Sequence, residues 1–323
     1  MNSPIPFIAN ADDTSSAAWV NALQQAMPDE RVVAFSSLDP AAKTQCTVAI
    51  VANPEPSALR QLSNLRWVHS VWAGVERLVA DLEACQSDRP PGHSELKIVR
   101  LIDPQLAATM AEAVLAWTLY LHRDMPAYAE QQAQARWQPR PYIRPQNRSV
   151  SLLGLGALGL AAARQLTATG FKVRGWSQTR KSLPEVECFA GNSELDAMLA
   201  QTDILISLLP LTEQTTGILN ARTLARLPAG AELINFSRGA IIDDQALCAA
   251  LDSGHLKHAV LDVFALEPLA EDQWQWRHPR VTVLPHCSAP TDQASAVEIV
   301  ARHIAAYRAS GEIPPSVDLV RGY

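Results

Sequence analysis

One segment organises the chain: Ser149-Val-Ser-Leu-Leu-Gly-Leu-Gly-Ala-Leu-Gly-Leu-Ala-Ala-Ala-Arg164. A short apolar run ends at Gly154, and Gly156 and Gly159 follow before several small helix-forming residues. This order predicts a strand, a tight turn and a helix. Gly154 permits the turn, Gly156 lets a pyrophosphate approach the backbone, and Gly159 allows close helix packing. The spacing alone is a weak signal, because a turn that binds nothing can share it.

The next strand tests this interpretation. Residues 170–176 predict a turn that leads into a strand, and the residue that contacts the adenine-side ribose should follow it. A site for NAD would have Asp or Glu there, whereas this chain has Ser177, Arg180 and Lys181. A hydroxyl and two cations can bind a 2′-phosphate, so NADP(H) is favoured and NAD(H) stays possible. The alternative is that both cations are ordinary solvated charges.

Length and composition limit the class of protein. The 323 residues are many for one hydrophobic core, so two domains are expected, and 48% hydrophobic and 19% charged residues are typical of a folded protein. A net charge of −6 without a basic stripe argues against nucleic acid as a partner. The longest apolar stretch, near residues 111–121, is too short to span a bilayer, and the first residues lack a signal-peptide pattern. No membrane partner is expected.

The cysteines indicate the redox compartment. Their odd number and the lack of a Cys-x-x-Cys pair favour reduced thiols and a cytoplasmic location. Although Cys287 follows His286 directly, no third ligand clusters with them, so no metal site is expected. The five cysteines are Cys46, Cys85, Cys188, Cys248 and Cys287.

The first hundred residues alternate short apolar strands with helical segments, a pattern that predicts a parallel sheet in a domain of its own. The turn at residues 71–76 contains Gly74 and could offer backbone N–H groups to a small anion, or it could bind nothing. The predicted strands are 32–35, 47–51, 67–71 and 97–102, and the predicted helices are 15–27 and 57–62.

A long helix is predicted over residues 105–123, with an apolar stripe that is typical of a core or a packed interface. We expect this helix to cross to the second domain, and a dimer surface is a further possibility. Residues 137–145 hold three prolines and predict an extended connection. A closing helix over residues 291–308 should return to the first domain. The expected domains are therefore 1–102 with 291–323, and 103–290.

The second domain continues with apolar runs at 203–209, 231–236, 258–263 and 281–284, as a sheet buried on both faces requires. Ligands of such sheets bind beyond the carboxyl ends of the strands. That rule brings Arg238, Glu267 and His286 to one edge of the predicted sheet.

At these residues the sequence resembles the D-isomer-specific 2-hydroxyacid dehydrogenase family, and within it the bacterial glyoxylate/hydroxypyruvate reductase A group. The resemblance implies an α/β protein with two Rossmann-like domains, each built on a parallel sheet. One of them is a flavodoxin-like lid and the other is the dinucleotide-binding domain. It also implies a cleft between the domains and a homodimer. The matching pieces are 153–159, 176–181, 200–210, 233–243, 261–268, 284–289 and the tail 317–323.

The resemblance also implies roles for individual residues. Arg238, Glu267 and His286 would be catalytic, and the turn Ala73-Gly74-Val75 would hold the substrate carboxylate through its backbone N–H groups. The expected substrate-binding residues are Trp72, Ala73, Gly74, Arg238 and His286. Two positions depart from the family pattern, since Trp72 stands where many members have Gly and Gln178 where the reductase A group commonly has Arg. The expected cofactor-binding residues are Gly154, Gly156, Ala157, Leu158, Gly159, Ser177, Arg180, Lys181, Leu209, Pro210, Phe236, Ser237 and Asp262.

The resemblance thus implies reduction of a small 2-ketoacid. Arg238 would bind the carboxylate and polarise the carbonyl, and His286, held by Glu267, would give its proton to the new alkoxide. The expected reaction converts glyoxylate or hydroxypyruvate to glycolate or D-glycerate with NADPH. The alternatives are a family member that acts on a larger 2-ketoacid and a nucleotide-sensing scaffold without catalysis.

Overall fold

The computed structural model of the protein describes residues 3–10, 15–86 and 96–318, with side chains described up to residue 81 in the second of these ranges. The side chain of Cys85, His93 and residues 319–323 of the tail therefore lie outside the described residues. The chain divides into two compact units. The first comprises the residues up to Gln105 together with those from Thr291 onward, and the second comprises Leu106–Pro290.

The first unit is built on a sheet of five parallel strands, in the order β2-β1-β3-β4-β5. This order is the flavodoxin-like one, in which each crossover places a helix on a face of the sheet. The strands are β1 (Ile5–Ala9), β2 (Val32–Ala34), β3 (Val48–Ala52), β4 (Trp67–Ser70) and β5 (Lys97–Val99). The helices between them are α1 (Ser16–Ala26), α2 (Pro40–Gln45), α3 (Pro56–Arg60) and α4 (Glu76–Gln86).

Both faces of this sheet are buried. Successive side chains of a strand point to opposite faces, and accordingly Ile50 packs in one apolar cluster while its neighbours Ala49 and Val51 pack in another. The first cluster also contains Trp67 and Ile5, which are fully buried. A strand with both faces covered needs a continuous apolar run, which β3 has.

The second unit is built on seven parallel strands, in the order β12-β11-β10-β9-β6-β7-β8. The strand order reverses between β6 and β9, and this reversal marks the dinucleotide crevice in sheets of this kind. The strands are β6 (Ser149–Leu153), β7 (Lys172–Ser177), β8 (Val186–Ala190), β9 (Ile204–Ser207), β10 (Ala231–Asn235), β11 (Leu256–Leu261) and β12 (Val281–Val283).

Seven further α-helices occur in the described chain. The helices are α5 (Pro104–His122), α6 (Met125–Ala133), α7 (Ala157–Ala168), α8 (Gly191–Leu199), α9 (Ala221–Leu224), α10 (Asp244–Asp252) and α11 (Gln293–Ser310). The stripe predicted on α5 is core, because Met110, Val114 and Leu121 are buried in the second unit. Helix α11 instead adds Val300 and Ile304 to the apolar core of the first unit.

The predicted α/β architecture with two parallel sheets is confirmed. Two strands were not predicted. Pro6 interrupts the apolar run of β1, since proline lacks the N–H that a ladder needs, and β8 at the sheet edge carries the charged residue Glu187. Residues 137–144 form neither helix nor strand, as predicted.

In the described part of the chain, no helix is both long and apolar enough to cross a membrane, and no group of metal-binding side chains occurs.

Candidate active site

The glycine loop lies between β6 and α7, at the point where the strand order reverses. Gly154 has φ of 102°, and a Cβ at this position would lie 2.8 Å from the carbonyl oxygen of Leu208, which follows β9. A Cβ at Gly159 would lie 1.9 Å from the Gly154 carbonyl oxygen. Any larger residue at either position would force the loop, helix and neighbouring strand apart.

The start of α7 fits an anionic cofactor. Gly156 is the residue before the helix, a Cβ there would meet no atom within 4 Å, and no side chain caps the helix. The first N–H groups, which include those of Ala157 and Leu158, thus have no capping partner in the described structure. Uncapped amides, the positive end of the helix dipole and open space above Gly156 are what a pyrophosphate requires.

The ribose-side loop, Ser177–Lys181, follows β7 and is largely exposed. The Ser177 hydroxyl donates to the Thr179 carbonyl over 2.7 Å. Arg180 forms an ion pair with Glu194 of α8 and also donates to the Cys188 carbonyl over 3.1 Å, while 60% of its side chain is exposed. A phosphate bound by Arg180 would therefore have to compete with Glu194 for the guanidinium.

Four other residues of the expected cofactor set follow β9 and β10. Leu209, Phe236 and Ser237 are buried, and Pro210 is half-buried with its carbonyl accepting from the Thr215 hydroxyl over 2.7 Å. Since β9 and β10 are neighbours in the sheet, these residues reach the same carboxyl edge as the glycine loop.

Arg238, Glu267 and His286 follow three adjacent strands, β10, β11 and β12. The guanidinium of Arg238 donates from Nη1 to the carbonyl of Ser237 over 2.7 Å. The next residue, Gly239, touches the chain that leads to Glu267, because a Cβ on it would lie 2.0 Å from the carbonyl carbon of Phe264. The Arg238 turn and the Glu267 loop are thus in direct backbone contact.

The imidazole of His286 is held by Glu267. Its Nδ1 lies 2.7 Å from Oε2 of that carboxylate, whose Oε1 accepts the Phe264 amide over 2.9 Å. A carboxylate can only accept, so Nδ1 carries the hydrogen and Nε2 is the free nitrogen. The imidazole is 52% exposed, which leaves Nε2 open to a ligand. This geometry is that of a proton donor oriented by a carboxylate.

A model of the NAD-binding domain of D-isomer-specific 2-hydroxyacid dehydrogenases matches residues 115–288, more than half of the chain. The chain belongs to this family.

Solved structures agree with this membership. A D-isomer-specific 2-hydroxyacid dehydrogenase from Xanthobacter autotrophicus Py2, in complex with NADPH and MES, is 36% identical over 100% of both chains, with a TM-score of 0.90. An NADPH-dependent glyoxylate/hydroxypyruvate reductase from Sinorhizobium meliloti, in complex with NADP and sulfate, is 32% identical over 99% of this chain and 100% of its own, with a TM-score of 0.84. A probable 2-hydroxyacid dehydrogenase from Rhizobium etli CFN 42, with NADP, HEPES and L(+)-tartaric acid, is 29% identical over 99% of each chain, with a TM-score of 0.86.

In this dehydrogenase Asp262 holds the segment that carries His286. Its carboxylate is buried and accepts the amides of Cys287 over 2.7 Å and Ser288 over 3.0 Å, while its carbonyl accepts the His286 amide over 2.9 Å. His286 itself has a positive φ of 51°, which is uncommon for a residue other than glycine. Asp262 thus supports the backbone of His286, the predicted proton donor, and the sequence did not predict this contact.

The expected substrate turn of the dehydrogenase lies in the first unit, after β4. The Trp72 amide donates to the Ser70 hydroxyl over 3.0 Å, and the Leu101 amide donates to the Trp72 carbonyl over 3.2 Å. Within the described residues, no acceptor takes the amide hydrogens of Ala73 and Gly74. The indole of Trp72 meets Trp19 edge-on at 6.1 Å, so part of its bulk packs on the core.

Buried histidines elsewhere differ from His286. Burial, followed by the nearby charge of His303, lowers the pKa of His69 to about 4, and burial is also the main cause that lowers the pKa of His258 to about 4. Nε2 of His69 lies 2.9 Å from Nδ1 of His303, and Nε2 of His258 lies 2.9 Å from the Thr282 hydroxyl. Both buried imidazoles stay neutral at neutral pH, as structural histidines do.

The sequence also missed Asn235, a buried amide at the end of β10 whose contacts lie beside Arg238. The available signal was a polar residue at the end of an otherwise apolar run, Leu233-Ile-Asn-Phe236. Buried polar side chains are nearly always hydrogen-bonded, so such a residue predicts a specific partner.

Proposed function

We propose that this dehydrogenase reduces a small 2-ketoacid, glyoxylate or hydroxypyruvate, to glycolate or D-glycerate. The observation that carries the proposal is the 2.7 Å contact between Nδ1 of His286 and Glu267, at the sheet edge that also holds Arg238 and the glycine loop. The 32% identical reductase from Sinorhizobium meliloti acts on glyoxylate and hydroxypyruvate by name, which supports this substrate class.

The side chains would divide the work as follows. Arg238 can offer two parallel N–H groups, which bind the carboxylate and the carbonyl oxygen of the ketoacid together. As the carbonyl carbon is reduced, its oxygen gains negative charge, and His286 donates a proton to it from Nε2. Glu267 stabilises the charged imidazole and keeps Nδ1 protonated. The nicotinamide, when bound, supplies the hydride.

NADPH is the proposed cofactor. Gly154, Gly156 and Gly159 form a cradle that fits the pyrophosphate, and Ser177, Arg180 and Lys181 provide a hydroxyl and two cations for a 2′-phosphate. Leu209, Pro210, Phe236 and Ser237 would complete the proposed site at the carboxyl edge. Asp262 would contribute through the segment of Cys287 and Ser288 that its carboxylate holds. The relatives from Xanthobacter and Sinorhizobium are in complex with NADPH and NADP.

The two compact units are proposed as functional domains. The second unit would bind the cofactor and the first would act as the lid, with the amides of Ala73 and Gly74 binding the substrate carboxylate and Trp72 beside them as the pocket wall. We propose a cytoplasmic location because Cys46, Cys188, Cys248 and Cys287 are all free thiols.

A homodimer is also proposed. The segment after α5 exposes large apolar side chains: Trp137 is 100% exposed, Tyr142 62% and Met125 43%. Exposed apolar side chains of this size cost free energy in water, and the homodimer implied by the family resemblance favours a second copy of the chain as their cover. Light scattering of the purified protein should give twice the chain mass of 35.1 kDa, and Trp137→Ser should shift the mass toward one chain. A monomeric wild type would contradict the proposal.

The test of the activity is the initial rate of NADPH and NADH oxidation with glyoxylate and with hydroxypyruvate. Turnover with a preference for NADPH is expected. An NADH preference would reject the cofactor proposal and keep the reaction. If neither ketoacid is reduced, larger 2-ketoacids should be assayed, and failure with those as well would favour a nucleotide-sensing scaffold.

A further inference from the structure

The backbone of Arg238 is held by a side chain rather than by the sheet. Strand β10 ends at Asn235, three residues before Arg238. The Asn235 amide group donates from Nδ2 to the carbonyl oxygen of Arg238 over 3.1 Å. This contact spans the turn between the strand and the arginine, and it fixes the peptide from which the guanidinium extends.

The other end of the same amide closes the turn. Oδ1 of Asn235 accepts the backbone N–H of Ser237 over 3.2 Å and its hydroxyl over 2.6 Å. The Ser237 hydroxyl donates its single hydrogen to Asn235. The Ser207 hydroxyl must therefore donate to the Ser237 oxygen, which lies 2.9 Å away. Hydrogen bonds therefore run in one direction, from Ser207 through Ser237 to Asn235.

All three polar side chains are shielded from water. Ser207 is 0% exposed, Asn235 1% and Ser237 4%. Water cannot replace a lost partner at such depth, so each bond constrains its neighbours strongly. Since Gly239 touches the backbone of Phe264, a displaced Arg238 turn would also press on the loop that carries Glu267.

We propose that Asn235 is a positioning residue for ketoacid reduction and acts through Arg238. Ser237 and Ser207 orient the Asn235 amide, and the amide sets the place from which the guanidinium meets the substrate. The inference rests on the proposed function, because it assigns the ketoacid to Arg238. Asn235 also contacts Ser237 of the proposed cofactor site, so the effects on ketoacid binding and on NADPH binding are measured separately.

The chemistry requires an amide at position 235. The site needs one acceptor toward Ser237 and one donor toward the Arg238 carbonyl. Asp would keep the acceptor and lose the donor, and it would place a carboxylate oxygen against a carbonyl oxygen. Asn235→Asp and Asn235→Ala therefore break the contact in two different ways.

The experiment measures four quantities for each variant: KM and kcat with glyoxylate, the dissociation constant of NADPH, the affinity of the NADPH complex for oxamate, and Tm. Oxamate is an unreactive ketoacid analogue, and its binding can be titrated without turnover. Both Asn235 variants should weaken oxamate binding and raise KM about tenfold or more, since small misplacements of a binding group carry large costs. NADPH binding should weaken by a smaller factor than oxamate binding does, although Asn235 also contacts Ser237 of the proposed cofactor site.

Ser151→Ala is the matched control. The Ser151 hydroxyl also pairs with a second hydroxyl, that of Thr202, at 2.7 Å and 0% exposure in the same sheet, but it does not contact Arg238. It should lower Tm and leave oxamate binding unchanged. Equal losses of oxamate affinity in Ser151→Ala and Asn235→Ala would overturn the proposal, as would an Asn235→Ala protein that binds oxamate normally.

Ser207→Ala tests the proposal even if the Asn235 variants do not fold. It removes only the first donor of the chain, so a loss of oxamate affinity of about threefold is expected, and no loss would count against the inference. Failure of the proposed function is separate, because it would appear in the wild type as an absence of ketoacid turnover. A wild type that also failed to bind oxamate would overturn both.

Discussion

Two parts of the proposed site in the second unit are built in opposite ways. The turn of Arg238 and the segment of His286 are supported by the buried side chains of Asn235 and Asp262. The ribose-side loop is exposed, and Arg180 is held there by an ion pair with Glu194. Water and salt weaken the second kind of contact and hardly reach the first.

The difference follows from what each part has to do. Proton transfer and carbonyl polarisation depend on atoms placed within a few tenths of an ångström, which needs a rigid support. Attraction of a phosphate depends on charge, and mobile exposed cations provide it. Substitutions should therefore have large effects at the supported turns and graded effects at the loop.

The largest effect is expected from His286→Ala. Loss of the proton donor should lower kcat by about 100-fold or more, while the dissociation constant of NADPH changes little. Steady-state rates and fluorescence titration of NADPH measure the two quantities. His278→Ala, which removes an imidazole paired with Asp252, is the control and should keep its turnover. Near-normal turnover of His286→Ala would end the assignment of the proton donor.

Arg238→Lys should raise KM for the ketoacid by more than about tenfold although the positive charge is kept. Lysine cannot reproduce two parallel N–H groups, so the substrate loses its fixed orientation. Arg222→Lys changes an exposed arginine that contacts both carboxylate oxygens of Asp196, and it should have wild-type kinetics. Wild-type KM in Arg238→Lys would show that two-point recognition is wrong.

Arg180→Gln should reduce the preference for NADPH over NADH about tenfold, because a charge-assisted contact to the 2′-phosphate is lost. The ratio of kcat/KM for the two cofactors measures it. Arg222→Gln is closely matched, since its side chain is 61% exposed against 60% for Arg180 and also pairs with a carboxylate of α8. A preference unchanged in Arg180→Gln would place the phosphate elsewhere.

The smallest effect should come from Glu194→Gln. This change removes the competitor for Arg180 and should tighten NADPH binding about two- to fivefold at low salt, with less gain at high salt. Asp196→Asn is the control. Asp196 lies on the same helix and its side chain is 35% exposed, as is that of Glu194, but it pairs with Arg222 rather than with Arg180. Equal gains in NADPH affinity in the two variants would mean that net charge, rather than competition for Arg180, determines the affinity.

Sequence periodicity was sufficient for most of the fold. Continuous apolar runs such as β9 and β10 predicted strands of a parallel sheet, and the rule on carboxyl ends placed Arg238, Glu267 and His286 at one edge. Periodicity did not predict β1, which contains Pro6, or β8, which lies at the sheet edge. The local composition of both strands opposes the structure that they adopt in the fold.

The hydrogen bonds that support the site could not be predicted from the sequence for a different reason. Asn235 and Asp262 could be recognised as polar residues at strand ends, but their partners are fixed only when turns fold back on them. The Arg180–Glu194 pair likewise joins a loop and a helix 14 residues apart. Such contacts depend on side-chain geometry, which periodicity does not encode.

Helix α11 has a consequence for how the protein is made. Its Ala296, Val300 and Ile304 belong to the same apolar core as Trp19 and Leu23 of α1. A ribosome delivers α1 before the second unit and α11 after it, whereas the second unit is one continuous stretch. The unit whose synthesis begins first is therefore the last that can close its core, and until then its open face needs protection from aggregation.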